Sequence, residues 1–165
     1  MDDIVITTID KGNHREYIND IEYLYGQFNH FYTENNYTTY LDKKENSELD
    51  FNKMVTEDFE KENVLCFLAY KNKEPVGYIL GYTEHLSECF VTGFISYVDG
   101  IYITEAVRGF GLGKLLIEKF SNDMDRKYGT KIIRLNVKSI NKQAIKLYES
   151  IGFLIDEHRM YKVLP

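Results

Sequence analysis

Hydrophobic positions along this chain switch between a period of two and a period near 3.6, which predicts strands and helices in alternation. Ile4 to Ile9 reads as a first strand. From His14 to Phe28, Tyr17, Ile21, Leu24 and Phe28 recur at helical spacing and define an amphipathic helix. Asn29 to Glu48 is polar and aromatic without a period, so a loop is expected there. Leu49 to Lys61 turns Phe51, Val55 and Phe59 to one side and predicts a second helix. Val64 to Tyr70 reads as a buried strand, Glu74-Pro75 as a turn, and Val76, Tyr78, Leu80 and Tyr82 as the alternation of the next strand. After an expected loop, His85 to Thr92, comes a long strand, Phe94 to Ile103. Its pattern breaks: Ile101 and Ile103 share one face, Val98 has the opposite parity, and Gly100 lies between. A glycine at such a break suggests a bulge; an ordinary twisted strand with a packed glycine is the alternative. Leu112, Leu116, Phe120 and Met124 then form a helical stripe. Ile132 to Val137 is a further strand, and a last helix carries Ala144, Leu147, Tyr148 and Ile151 on one face.

Between the long strand and the Leu112 stripe stands Arg108-Gly109-Phe110-Gly111-Leu112-Gly113-Lys114. Glycines at a strand-to-helix junction let the backbone approach a ligand with no Cβ in the way. The first helical turn adds unpaired N–H groups and a positive dipole end, which suit phosphate. The spacing excludes the two commonest owners of such loops. A Walker A loop needs four residues before its Gly-Lys pair and then Ser or Thr. Here three residues separate Gly109 from Gly113-Lys114, and Leu115 follows. A dinucleotide fingerprint needs a third glycine where Leu116 stands. A nucleotide-phosphate site of either kind is therefore disfavoured, whereas a tight connection without any ligand would also use these glycines.

The pattern Arg108-x-x-Gly111-x-Gly113 resembles the acyl-CoA-binding motif of the GNAT superfamily of N-acyltransferases. Ser96-Tyr97-Val98-Asp99-Gly100-Ile101-Tyr102-Ile103 resembles that family's central strand. Asn141 to Phe153 resembles its second signature, N-x-x-A-x-x-L-Y-x-x-x-G-F. The resemblance covers residues 64 to 164, and the first sixty or so in outline. It implies a single domain over residues 1–165 of α/β (α+β) class. A mixed, mostly antiparallel sheet of about six to seven strands would be flanked by about four helices, with a splayed central strand pair. It also implies acetyl-CoA as acyl donor. The backbone of Ile101, Tyr102 and Ile103 would then meet the amides of the pantetheine arm, in the gap that a bulge opens. Arg108, Gly109, Gly111, Gly113 and Lys114 would hold the pyrophosphate. Asn141 reads as a helix cap and, by resemblance, as a further bond to the CoA arm. Lys138, Lys142 and Lys146 read mainly as solvated charges. Where the family favours Pro after the strand and an aromatic before the arginine, this chain has Glu105 and Val107, which alters the shape of the loop.

Acyl transfer from a thioester to an amine needs a deprotonated amine, a held oxyanion and a protonated leaving thiolate. Tyr148 lies on an apolar helical stripe and by periodicity alone is a core aromatic; the signature makes it the proton donor beside the thioester sulfur. Asp99, just before the expected bulge, reads equally as the base or as a solvated strand residue. Glu84, His85 and Glu88 are weaker alternatives for the base. They form no convincing ligand set, so no metal is expected. The oxyanion would meet a backbone N–H near Ile101 or Tyr102.

Composition narrows the partners. The 165 residues, 44% of them hydrophobic, suffice for one core, and the formal charge is −6. An acidic surface argues against nucleic-acid binding. No apolar run approaches the roughly 20 residues of a membrane span, so no membrane is expected. Cys66 and Cys89 are unpatterned, and Met1-Asp2-Asp3 opens no secretory segment, which makes a cytoplasmic location the expectation. The amine acceptor would be a small molecule or peptide. Tyr25, Phe28, Phe31, Tyr32 and Tyr37, with Glu34, Asp42 and Glu45, read either as a pocket for a cationic amine or as aromatics closing the core. A homodimer stays open. The alternative to an enzyme is a non-catalytic acyl-CoA-binding sensor or interaction module.

Overall fold

Five strands and three helices make up the described part of this computed structural model, which comprises residues 3–35, 57, 59–61, 63–86, 93–160 and 162. The strands are β1 (Ile4–Ile9), β2 (Val64–Lys71), β3 (Glu74–His85), β4 (Phe94–Ile103) and β5 (Ile133–Leu135). They lie side by side in chain order in one sheet, antiparallel except for the parallel pair of β4 and β5. The helices are α1 (His14–Glu34), α2 (Leu112–Tyr128) and α3 (Lys142–Ser150), and a 3₁₀ turn covers Glu105–Val107.

Alternation in β2 sorts the two cores. Leu65, Phe67 and Ala69 face α2, where they join Ile79, Val98, Leu112, Leu116, Phe120 and Met124. Val64, Cys66 and Leu68 face α1, where they join Ile21, Leu24, Tyr78 and Tyr102. A strand buried on both faces reads as an unbroken apolar run, and β2 does. Its hairpin to β3 turns on Asn72 and Lys73, at φ 51° and 68°. Two successive positive φ values match the right-handed twist of the flanking strands.

β1 and β4 take the bounds the alternation predicts. The loop expected from Asn29 does not begin there: α1 runs on to Glu34. Phe28 and Phe31 continue the inward stripe and pack on Tyr102, so tertiary contact extends the helix past its clean period. The helix expected over Leu49 to Lys61 lies mostly outside the described residues. The expected six to seven strands and four helices become five and three among the described residues. Among the described residues, Leu154 to Met160 pairs with no strand, and Leu154 and Met160 are exposed.

β3 and β4 approach so closely at Gly81 that a side chain there has no room. A Cβ would run into the Tyr97 carbonyl oxygen and stand 2.6 Å from Cζ of Phe120. Gly81→Ala should therefore destabilise the fold by about 3 kcal/mol, as overpacking against backbone does. A lower urea midpoint at unchanged slope is the expected reading; an unchanged midpoint would contradict the packing described.

Candidate active site

The site begins with an extra residue. Leu80 pairs with Gly100 and Gly81 with Val98, so Asp99 is the bulged residue of β4. The bulge puts Val98 and Ile101 in the same core although their parity differs. β4 and β5 pair at Ser96 with Ile133, Tyr97 with Arg134 and Val98 with Leu135, and then part. Beyond Val98, β4 is paired, among the described residues, on its β3 side alone. Its other edge opens into a cleft of about 420 Å³, bounded by Asp99–Ile103, by Leu135, Asn136 and Val137, and by the starts of α2 and α3.

The glycine loop forms the mouth of this cleft. Gly109 and Gly111 have φ of 82° and 84°, a region that side chains rarely enter. The first amide to bond back within α2 is that of Leu115, to the Gly111 carbonyl at 3.0 Å. The amides of Leu112, Gly113 and Lys114 precede it and have no helical partner. No acidic side chain occupies this first turn. Gly113 is needed for packing, since a Cβ there would lie 3.2 Å from Cδ2 of Leu147 on α3. The arrangement fits a pyrophosphate: bare backbone, open amides and a positive helix end.

Arg108 lines the cleft but is tied to the protein. Its Nε donates to the Ile103 carbonyl at 2.8 Å and its Nη1 to the Glu105 carboxylate at 3.2 Å. The guanidinium also lies 4.3 Å from the Phe31 ring centre and 5.5 Å from that of Tyr102. It clamps the end of β4 to α1. Lys114 stands at the rim, 3.7 Å from the Glu118 carboxylate, while Lys138, Lys142 and Lys146 do not line the cleft.

Asn141 caps α3. Its side-chain oxygen accepts from the Ala144 amide at 3.1 Å, and the buried side chain also borders the cleft. Two turns on, Tyr148 packs against Phe153, with ring centres 5.7 Å apart, and completes the same wall. Burial pushes the Tyr148 phenol up to about 12, and the Tyr32 phenol adds to this. Asp99 sits across the cleft, exposed. Ile101, Tyr102 and Ile103 line the opened edge as expected. Phe28, Phe31 and Tyr32 of α1 border this cleft too, so part of the aromatic cluster faces it. Tyr25 packs in the α1 core, and Glu34 pairs with His30 at 3.0 Å on the surface. Tyr37, Asp42, Glu45, Glu88 and Cys89 lie outside the described residues.

A second, polar cavity of about 300 Å³ adjoins the first. Tyr82, Glu84, Tyr97, Asp99, Arg134, Asn136, Glu157 and Arg159 line it, so Asp99 and Asn136 belong to both. Arg134 and Asn136 were legible in principle, as the polar alternation along Ile133-Arg134-Leu135-Asn136-Val137. Glu157 and Arg159 follow the last signature and carry no motif. His85 packs edge-on against Phe94, with ring centres 4.8 Å apart, and lines neither cavity. Among the described residues, no group of three or more His, Cys, Asp and Glu could hold a metal, and no helix is long and apolar enough to cross a membrane.

The chain belongs to the acetyltransferase (GNAT) family, whose profile matches residues 22–153. Solved structures share the fold at low identity. A tetramutant of the BH1408 protein from Bacillus halodurans is 15% identical with a TM-score of 0.77, over 97% of this chain and 99% of that one. The aminoglycoside N-acetyltransferase AAC(6')-Iy in complex with CoA is 14% identical with a TM-score of 0.70, over 98% and 94%. The ribosomal-protein-alanine N-acetyltransferase from Brucella melitensis biovar Abortus is 17% identical with a TM-score of 0.68, over 98% and 99%. No curated protein sequence matches the chain.

Gly111→Ala would place a side chain at φ 84° and raise the cost of the loop by roughly 1–2 kcal/mol. Calorimetry should show CoA affinity falling about tenfold while α2 still forms, since each 1.4 kcal/mol is tenfold. Unaltered affinity would remove the loop from the binding site.

Proposed function

We propose that this chain is a cytoplasmic, acetyl-CoA-dependent N-acetyltransferase that acts on a primary amine of a small molecule or peptide. One observation carries the reading: the Tyr148 phenol and the Asp99 carboxylate border a single cleft whose mouth is a bare helix start and whose side is an unpaired strand edge. The amides of Leu112, Gly113 and Lys114 suit the pyrophosphate, with Lys114 adding charge at the rim. The edge of β4 at Ile101–Ile103 and the Asn141 side chain suit an extended chain of amides. Acetyl-CoA supplies the activated acyl group. Similar folds include proteins described as aminoglycoside and ribosomal-protein-alanine N-acetyltransferases, which accords with an amine acceptor. The buried Cys66 thiol, held neutral by its surroundings, accords with a reducing compartment.

The roles follow from position and magnitude. Asp99, at the junction of the two cavities, takes the proton from the incoming amine. A backbone N–H near Ile101 or Tyr102 holds the oxyanion. The Tyr148 phenol, at about 12, is fully protonated at neutral pH. A free thiol titrates near 8.5, so complete proton transfer from this phenol would be uphill by roughly 5 kcal/mol. Tyr148 therefore acts by donating a hydrogen bond to the departing thiolate, and solvent completes the protonation.

Thiol release from acetyl-CoA, measured against polyamines, aminoglycosides, amino acids and peptides, tests the whole reading. Tight CoA binding without turnover on any of them would instead support the sensor or interaction module. Tyr148→Phe should lower kcat by about a hundredfold, as loss of one hydrogen-bond donor to developing negative charge does, with CoA affinity unchanged. Undiminished kcat would take Tyr148 out of the mechanism. Because its phenol is raised, its ionisation removes the donor only as pH climbs toward 12. The kcat profile should thus show no alkaline fall below about pH 10 that Tyr148→Phe abolishes.

A further inference from the structure

The polar cavity beside the cleft presents both signs of charge, which suits a ligand that carries both. Its wall carries three carboxylates, Glu84, Asp99 and Glu157, and two guanidiniums, Arg134 and Arg159. Glu84 and Arg134 neutralise one another in an ion pair, and Arg134 also lies over the Tyr97 ring, 5.6 Å from its centre. Arg159 and Glu157 make no ion pair within the described residues. Besides the Glu157 carboxylate, the cavity thus presents the Arg159 guanidinium and, at its border with the first cleft, the Asp99 carboxylate. A polyamine entering here would meet the carboxylates of Asp99 and Glu157 but would leave the Arg159 guanidinium without a counter-charge. A molecule with positive and negative ends would meet a partner at each.

We propose that this cavity is the acceptor pocket and that it takes a small amine bearing its own anionic group, with Arg159 holding the anion while the amine points to Asp99. The amine end rests on the acetyl-transfer reading; the anion end rests on the cavity alone. A planar guanidinium fork pairs with a carboxylate or phosphate through two parallel hydrogen bonds, which fixes orientation as well as adding affinity. Arg134, locked by Glu84 and Tyr97, cancels the Glu84 charge and leaves Arg159 as the guanidinium available to the ligand's anion. Tyr97 lies among these charges: burial raises its phenol first, Asp99 raises it further, and Arg134 and Arg159 lower it. Asn136, shared by both cavities, lies where an acceptor amine would have to pass toward the acyl group.

Equilibrium binding to the full chain tests this with matched pairs. These are L-amino acids against their C-terminal amides, phosphoethanolamine against ethanolamine, and spermidine as a purely cationic control. The anionic member of at least one pair should bind roughly tenfold or more tightly than its neutral counterpart, in line with a charge-assisted hydrogen bond. Which pair discriminates tells carboxylate from phosphate. Arg159→Gln should erase the difference and Arg159→Lys retain part of it, with CoA affinity unaltered in both. Equal binding within every pair, preference for spermidine, or discrimination that survives Arg159→Gln would overturn the proposal. Arg159-dependent binding of an anionic amine without thiol release would uphold the pocket and sink the acetyl-transfer reading. Thiol release on neutral amines regardless of Arg159 would do the reverse.

Discussion

The pairing of β4 with β5 stops after three residue pairs, and the site is organised around that stop. A strand released from its neighbour inside a protein leaves amides and carbonyls that must find other partners, at a cost of about 1–3 kcal/mol for each group left unsatisfied. The fold meets this by opening the parted edge to solvent and to whatever chain of amides enters. The bulge at Asp99 makes the parting possible, because it turns the strand without removing Val98 or Ile101 from the core they share. A single added residue thus opens the cleft and sets a carboxylate at its border, and the α2 core closes around it.

The two arginines nearest the donor cleft show how position decides what a charge does. Arg108 sits in the signature, yet its donors go to Ile103 and Glu105 and its flat face to Phe31 and Tyr102. Its charge is thus spent inside the fold, and the amides at the start of α2 are what the mouth of the cleft presents. Arg134, on the far side of the sheet edge, is likewise held by Glu84. The chain is acidic overall at −6, but its two cavities are not uniformly so, and net charge is a poor guide to either.

Much of this was legible in the sequence where local and tertiary preferences agree. The bounds of β1 and β4 followed from alternation, and the bulge followed from the parity of Val98 against Ile101. The start of α2 followed from glycines that a side chain would strain. What escaped reading depended on contacts between distant segments. Nothing near Asn29 announces that α1 continues, because the helix is held there by Tyr102, some seventy residues on. Arg108 carries the same letter whether it binds a phosphate or clamps a helix. Glu157 and Arg159 come to the cavity from a segment with no period and no motif, so only the folded chain brings them beside Asp99.

At Gly113, α2 comes so close to α3 that an added Cβ would crowd Cδ2 of Leu147. The glycine therefore lets the turn Gly111–Lys114 and the wall carrying Leu147 and Tyr148 lie side by side on one cleft. Any side chain at position 113 would have to be taken up by Leu147, so the spacing of the two walls is set by the absence of a single methyl group.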